Sequence, residues 1–130
     1  MTDIVMGFDF GKRRIGIAVG QSVTGTASPV GIVNAREGKP EWQKIDKLVE
    51  EWQPGVLVVG LPINMDDSGS EMSAAAERFG RRLHGRYHLP VEMMDERLST
   101  FEAREISDEA EVDAIAARLI LESWLQLKRP

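Results

Sequence analysis

Apolar positions change their spacing along the chain, and each change marks an element. Ile4-Val5-Met6-Gly7-Phe8 and Ile15-Gly16-Ile17-Ala18-Val19 are unbroken apolar runs of strand length. Such runs read as strands covered on both faces. With a third run they predict strands over about residues 3–10, 14–20 and 27–34. The joining turns are short, so the three are expected to be antiparallel. Pro29 in the third suits an edge position. Asn34 to Pro40 is polar and contains Gly38, which predicts a loop.

The period then lengthens. Trp42, Ile45, Val49 and Trp52 recur at helical spacing, with Leu48 beside them, and Pro54-Gly55 ends the pattern. Residues 56–61 read as a fourth, fully buried strand. After a loop from Pro62 to Gly69, Ser70 is the expected N-cap of a second helix with Met72, Ala76, Phe79 and Leu83 as its apolar stripe. Val91 to Met94 is a short fifth strand ending in Asp95-Glu96. Ser99 with Glu102 predicts a short third helix, and Asp108 with Glu111 the start of a last one over about 109–127. The expected fold class is α/β: a five-stranded mixed sheet, three antiparallel strands followed by parallel β-α-β units, flanked by helices. No repeat or linker interrupts the 130 residues, which suit one domain spanning 1–130.

This order brings acids together. Helical crossovers make the first, fourth and fifth strands parallel. Their C-terminal ends then share one sheet edge, where open α/β folds place their sites. Asp9 ends the first strand, and Asp95 and Glu96 end the fifth. On the last helix Asp113 shares a face with Ala116, Ala117, Ile120 and Trp124, near the N-terminus, where the helix dipole favours its ionised form. Glu109 and Glu111 fall on other faces and read as solvent charges.

A lone carboxylate in an apolar strand is costly unless protonated, hydrogen-bonded or bound to a cation. Several carboxylates at one edge repel one another, and Mg2+ or Mn2+ resolves the conflict with oxygen ligands. Two such ions about 4 Å apart serve phosphodiester cleavage. In that arrangement Asp9 bridges both ions, and Glu96 and Asp113 each complete one shell. Strand alternation sends Asp95 and Glu96 to opposite faces, so Asp95 is a reserve ligand or positions Arg97. Each acid alone also has a plain reading: a turn residue, a helix-start charge, a solvated loop start. Their agreement on one edge favours a site.

Lys12, Arg13 and Arg14 flank that edge and are placed to hold phosphate oxygens, unless they form a solvated hairpin turn. Arg78, Arg81 and Arg82, extended by Arg86, make a basic helical face, suited to a nucleic-acid backbone or to solvent alone. The loop from Gly60-Leu61-Pro62 through Asn64 to Gly69 offers backbone N–H groups to phosphate but has no Walker lysine. His84 and His88 have metal-ligand spacing, yet Gly85 and Pro90 mark a fraying helix end. Trp42, Trp52 and Trp124 sit on apolar helix faces and read as packing residues.

Composition narrows the classes. Hydrophobic residues are 42% and charged residues 28%, a globular balance. The absence of cysteine excludes disulfides, thiolate zinc sites and cysteine nucleophiles, and fits a reducing compartment. A formal charge of −5 argues against a passive nucleic-acid coat but not against an enzyme whose carboxylates hold cations. No signal segment and no apolar run of about 18 residues is evident, so the expected location is cytoplasmic and no membrane partner is expected.

Four blocks together resemble the YqgF/RuvX family. They are Asp9-Phe10-Gly11 followed by Lys12 to Gly20; Val59-Gly60-Leu61-Pro62 with Asn64; Asp95-Glu96-Arg97-Leu98-Ser99-Thr100 with Glu102-Ala103; and Asp113 with Ala116-Ala117. They stand in the family's order and cover nearly the whole chain. The resemblance implies a ribonuclease H-like fold related to RuvC-type resolvases. It implies a metal-dependent nuclease processing the 5′ end of the small-subunit ribosomal RNA precursor. The expected partners are nucleic acid and ribosomal particles, and the expected state is a monomer or weak dimer. The resemblance maps the family's acids to Asp9, Glu96 and Asp113. Family members often have Thr-Lys-Arg where this chain has Lys12-Arg13-Arg14. The stretch from Arg104 to Asp113 is shorter and more acidic than in many relatives.

Other readings share the Asp-x-Gly strand and hairpin. An actin-like or sugar-kinase-like phosphotransferase needs two such lobes, and 130 residues supply one. A non-catalytic ribosome-assembly or nucleic-acid-binding module would not need the Asp9 charge. A Holliday junction resolvase of the same fold differs only in substrate, branched DNA in place of RNA.

Overall fold

The computed structural model describes residues 4–11, 13–36, 39–61, 71–95 and 109–128. Its elements in chain order are β1 (Ile4–Asp9), β2 (Arg14–Gln21), β3 (Thr26–Arg36), β4 (Lys39–Pro40), α1 (Trp42–Trp52), β5 (Val56–Leu61), α2 (Glu71–Tyr87), β6 (Val91–Asp95) and α3 (Glu109–Lys128). The sheet runs β4-β3-β2-β1-β5-β6. The β1–β2, β2–β3 and β3–β4 pairs are antiparallel, whereas β5 pairs parallel with both β1 and β6. The expected mixed sheet is therefore present, with six described strands where five were expected. The extra strand falls in the Asn34–Pro40 stretch read as a loop. β3 runs on to Arg36, and Ala35 and Arg36 pair with Pro40 and Lys39. Two residues carry no apolar alternation by which such a strand could be recognised. The predicted Ser70 cap and the helix at Ser99 lie outside the described residues.

β4 reaches only the end of β3, so Pro29 sits where β3 has no outer neighbour among the described residues. There the pairing steps from Ile17↔Gly31 to Ala18↔Pro29, leaving Val30 as the extra residue of a bulge. The missing N–H of proline thus removes no ladder bond on an outer side.

Alternation along β1 builds two different cores. Met6, Phe8 and Phe10 point to one face, with Ile15, Ile17, Val33, Leu57 and Val59, and meet Ile45 of α1 and Phe79 and Leu83 of α2. Phe8 packs edge-on to Phe79 at 5.5 Å between ring centres, and Trp42 stacks on Phe79 at 5.8 Å. Val5 points to the other face, where Ala18, Ala27, Val58 and Met94 meet Ala117, Ile120, Leu121 and Trp124 of α3. Helix endings follow local chemistry. Gln53 takes the left-handed conformation after α1 (φ 47°) and its N–H donates to Val49 O. His88 does the same after α2 (φ 56°), donating to His84 O.

α1 and α2 are latched together. The Arg86 guanidinium donates to both Asp46 oxygens, Nε to Oδ1 at 2.8 Å and Nη2 to Oδ2 at 2.7 Å, and Tyr87 Oη donates to Oδ1 at 2.6 Å. Arg86 also lies over the Trp42 ring, 5.1 Å from its centre. Hydrogen bonds from Arg86 and then Tyr87 hold the Asp46 carboxyl down at about 2. Burial, then the bond to Asp46, push the Tyr87 phenol up. No described helix is long and apolar enough to cross a membrane.

Candidate active site

The site is built outward from Asp9, the last residue of β1 and half-buried. Strands β1, β5 and β6 are parallel, so their C-terminal ends lie at one edge, as expected. The ladder sets Asp9 beside Gly60 and Gly60 beside Met94. Asp95 pairs with Leu61, one step beyond that row. With strands about 4.8 Å apart, the ends of β1 and β6 are roughly 10 Å from each other.

Asp9 belongs to the row of Val5 and Gly7, and so to the α3 side of the sheet. Its antiparallel partner is Gly16 and its parallel partner Gly60. Cross-strand neighbours place their Cβ atoms about 5 Å apart, and here both lack one. The two residues directly opposite Asp9 therefore place no side chain beside its carboxylate.

Glycine also sets how close α3 comes. A Cβ at Gly7 would lie 3.0 Å from Leu121 Cβ and 3.5 Å from Ala117 O. A Cβ at Gly20, which pairs with Val5, would lie 3.0 Å from Leu125 Cδ1. Two residues along β1, about 6.6 Å, therefore move the contact by one α3 turn, from Leu125 to Leu121 and Ala117. One further step of about the same size brings Asp9 level with the turn containing Asp113. The N-terminal end of α3 thus approaches the acidic sheet edge.

The basic turn divides. Arg14 opens β2, half-buried, in the row of Gly16, and so on the Asp9 side of the sheet. It stands diagonally across from Asp9, a separation long side chains span. Arg13 is exposed in the turn, with its carbonyl accepting from Ala35 N at 2.8 Å. Gly11 closes the turn tightly, since a Cβ there would lie 2.5 Å from Arg14 O. Lys12, Asn64, Glu96 and Arg97 lie outside the described residues, as do the side chains of Asp95 and Asp113. Among the described residues no group of three or more His, Cys, Asp or Glu is arranged to hold a metal ion.

Other expectations separate. Arg86 leaves the basic face of α2 for Asp46 and Trp42. The physical reason is its helix position, which turns it toward α1 while Arg78, Arg81 and Arg82 stay exposed. His84 Nδ1 lies 2.9 Å from Leu89 O in the α2 ending, in keeping with a helix end. The tryptophans pack on the cores, as read. Sequence alone does not make Gly16 and Gly60 neighbours of Asp9; the strand register does.

Comparisons with known proteins agree with this fold. The family model described as "RuvX: Holliday junction resolvase" matches residues 3–127. A protein of Azotobacter vinelandii is 51% identical over 131 residues, covering 94% of this chain and 92% of its own length. One of Nitrosococcus oceani is 53% identical over 130 residues, covering 94% and 86%. Both carry the name "Putative pre-16S rRNA nuclease". Among solved structures, T. thermophilus RuvC in complex with a Holliday junction substrate superposes with a TM-score of 0.57 at 14% identity, covering 96% of each chain. The yeast mitochondrial Holliday junction resolvase Ydc2 gives 0.56 at 10% identity, covering 96% of this chain and 78% of its own. These structures share the fold, and the family match and close relatives go further: the chain belongs to the RuvX family.

Proposed function

We propose that this chain is a nuclease that hydrolyses phosphodiester bonds and acts on the 5′ end of the precursor of small-subunit ribosomal RNA. The observation that carries the reading is the position of Asp9. It is a half-buried carboxylate at the shared strand edge, flanked by glycine on both ladder neighbours, at the level of the first turns of α3. The names of the close relatives support the substrate.

Asp9 offers hard oxygen donors with glycine directly opposite on both sides, and the chain has no cysteine. That donor chemistry fits Mg2+ or Mn2+. Asp9, Glu96 and Asp113 would hold the ion or ions, with Asp95 as a further ligand. A bound divalent ion supplies electrostatic stabilisation at the phosphate under attack. The chain's own contribution is positioning. Arg14, on the Asp9 side, and Arg13, in the turn, bind phosphate oxygens, aided by Lys12, Asn64 and Arg97. The chain works as one domain, in the cytoplasm, on nucleic acid within ribosomal particles.

A second reading, cleavage of four-way DNA junctions, is favoured by the family description and by the shared fold with RuvC. Purified protein incubated with precursor RNA carrying the 5′ leader, and separately with a four-way junction, decides between them in Mg2+, Mn2+ or chelator. Metal-dependent cleavage of the RNA is expected. Cleavage of the junction alone would transfer the site to the second reading. Intact RNA and intact junction in both metals would contradict a nuclease.

A further inference from the structure

The outer face of α2 is a concentration of positive charge in an acidic chain. Ala76, Phe79 and Leu83 bury one side of the helix. The opposite side presents Ala74, Arg78, Arg81, Arg82 and Gly85, all exposed. Arg78 and Arg82 are one turn apart, about 6 Å along the axis, with Arg81 beside them. Arg86 on the same helix shows what a structural arginine looks like here, with two bonds to Asp46 and an aromatic ring beneath it. Among the described residues, the side chains of Arg78, Arg81 and Arg82 make no ion pair or hydrogen bond. Three unpaired guanidiniums repel one another, and a chain with a net charge of −5 has carboxylates to spare for neutralising them.

A groove runs beside this face. Glu77, Gly80, Arg81 and His84 of α2 line one side, and Val91 and Met93 of β6 form the floor. Gly80 keeps the helix low over the strand, since a Cβ there would lie 3.1 Å from Met93 Sδ and 3.5 Å from Val91 Cγ1. Met93 is 37% exposed, an apolar surface in the floor. β6 is the last strand of the described sheet, and its C-terminal end reaches the edge that holds Asp9 and Asp95. The groove lies on the α2 face, opposite the face of Asp9, and leads along β6 toward the edge where the two faces meet.

We infer that the α2–β6 groove carries a single strand of the nucleic-acid substrate away from the cleavage point, with Arg78, Arg81 and Arg82 gripping its phosphates. The inference rests on the nuclease reading and adds a second contact region to it. Charge complementarity selects a polyanion, and a groove with an apolar floor beside it suits one strand whose bases lie on Met93. Arginine contacts to phosphate carry no sequence information, so this part of the substrate is held without regard to sequence. Glu77 opposes the phosphates at one point and limits how far along the wall they are held.

The test is binding of a fluorescent 20-nucleotide single-stranded RNA, followed by anisotropy across a salt series in chelator, in the Asp9→Asn background. Arg78→Gln, Arg81→Gln and Arg82→Gln are combined in one variant. Arg36→Gln, Lys39→Gln and Lys47→Gln, at exposed positions elsewhere, remove the same charge in a control. Three lost phosphate contacts reduce the slope of log affinity against log salt by about 2. That reduction is expected for the α2 variant, with a change well under 1 for the control. Equal slopes in the two variants would overturn the inference. So would sedimentation showing that the α2 variant abolishes a dimer formed without RNA. No cleavage enters the measurement, so a failed nuclease reading registers separately, as Asp9-independent cleavage or none.

Discussion

The two faces of the sheet are built to different scales. The face under α1 and α2 is filled by Met6, Phe8, Phe10, Ile15, Ile17, Phe79 and Leu83. The face under α3 carries Gly7, Ala18, Gly20 and Ala27, met by Ala117 together with Ile120, Leu121 and Trp124. Large side chains hold α1 and α2 off the sheet and supply apolar burial. Small ones let α3 come close, and its first turns thereby reach the level of Asp9. Both faces bury apolar residues, and the thin face also carries the proposed chemistry. Both proposed cation-holding acids with described backbone on β1 and α3, Asp9 and Asp113, belong to elements of the thin side.

Substitutions that exchange these properties test the contrast. The largest loss of stability is expected from Phe8→Ala. It empties a fully buried site against Phe79 and costs about 3–5 kcal/mol, read as a lowered midpoint in chemical denaturation. Gly7→Val is next. It drives a branched side chain into Leu121 and Ala117 and costs about 1–3 kcal/mol. Because it lifts α3, its loss of cleavage should exceed that of Phe8→Ala when both are assayed well below their melting temperatures. If Phe8→Ala damages cleavage more, the thin face has no special role.

Tyr87→Phe removes one bond to a carboxylate at the α1–α2 latch and costs about 1 kcal/mol, with cleavage retained. The smallest effect is the pH dependence of Asp46. Its carboxyl is lowered from an unfolded value near 4 to about 2 in the fold. A depressed acid stabilises above its unfolded pKa, and that contribution fades as pH falls toward the folded value. The stability difference between wild type and Asp46→Asn should therefore be constant at neutral pH and shrink between about pH 4 and 2. The pair is more than a third exposed, so solvent screening keeps the difference small. A gap that widens on acidification would contradict the latch.

Much of this is legible in the sequence. Unbroken apolar runs marked β1, β2 and β5, and helical spacing marked α1 and α2, because each buries a regular stripe. Crossover logic then put Asp9 and Asp95 at one edge. What stayed hidden depends on partners distant in sequence. β4 is a two-residue pairing with no pattern of its own. Asp46 meets Arg86 and Tyr87 across forty residues, and polarity alone could not separate Arg86 from the exposed arginines of its helix. Gly16 and Gly60 were visible as letters in their motifs. Only register made them the two neighbours of one carboxylate.

The most direct test compares two carboxylates, one from each side of the sheet. Cleavage of precursor RNA in Mg2+ or Mn2+ is measured for wild type, Asp9→Asn and Asp46→Asn, each confirmed folded by circular dichroism. Asp9→Asn should lose on the order of 100-fold or more in rate, while Asp46→Asn stays near wild type. Cleavage by Asp9→Asn at the wild-type rate would contradict the account at its centre.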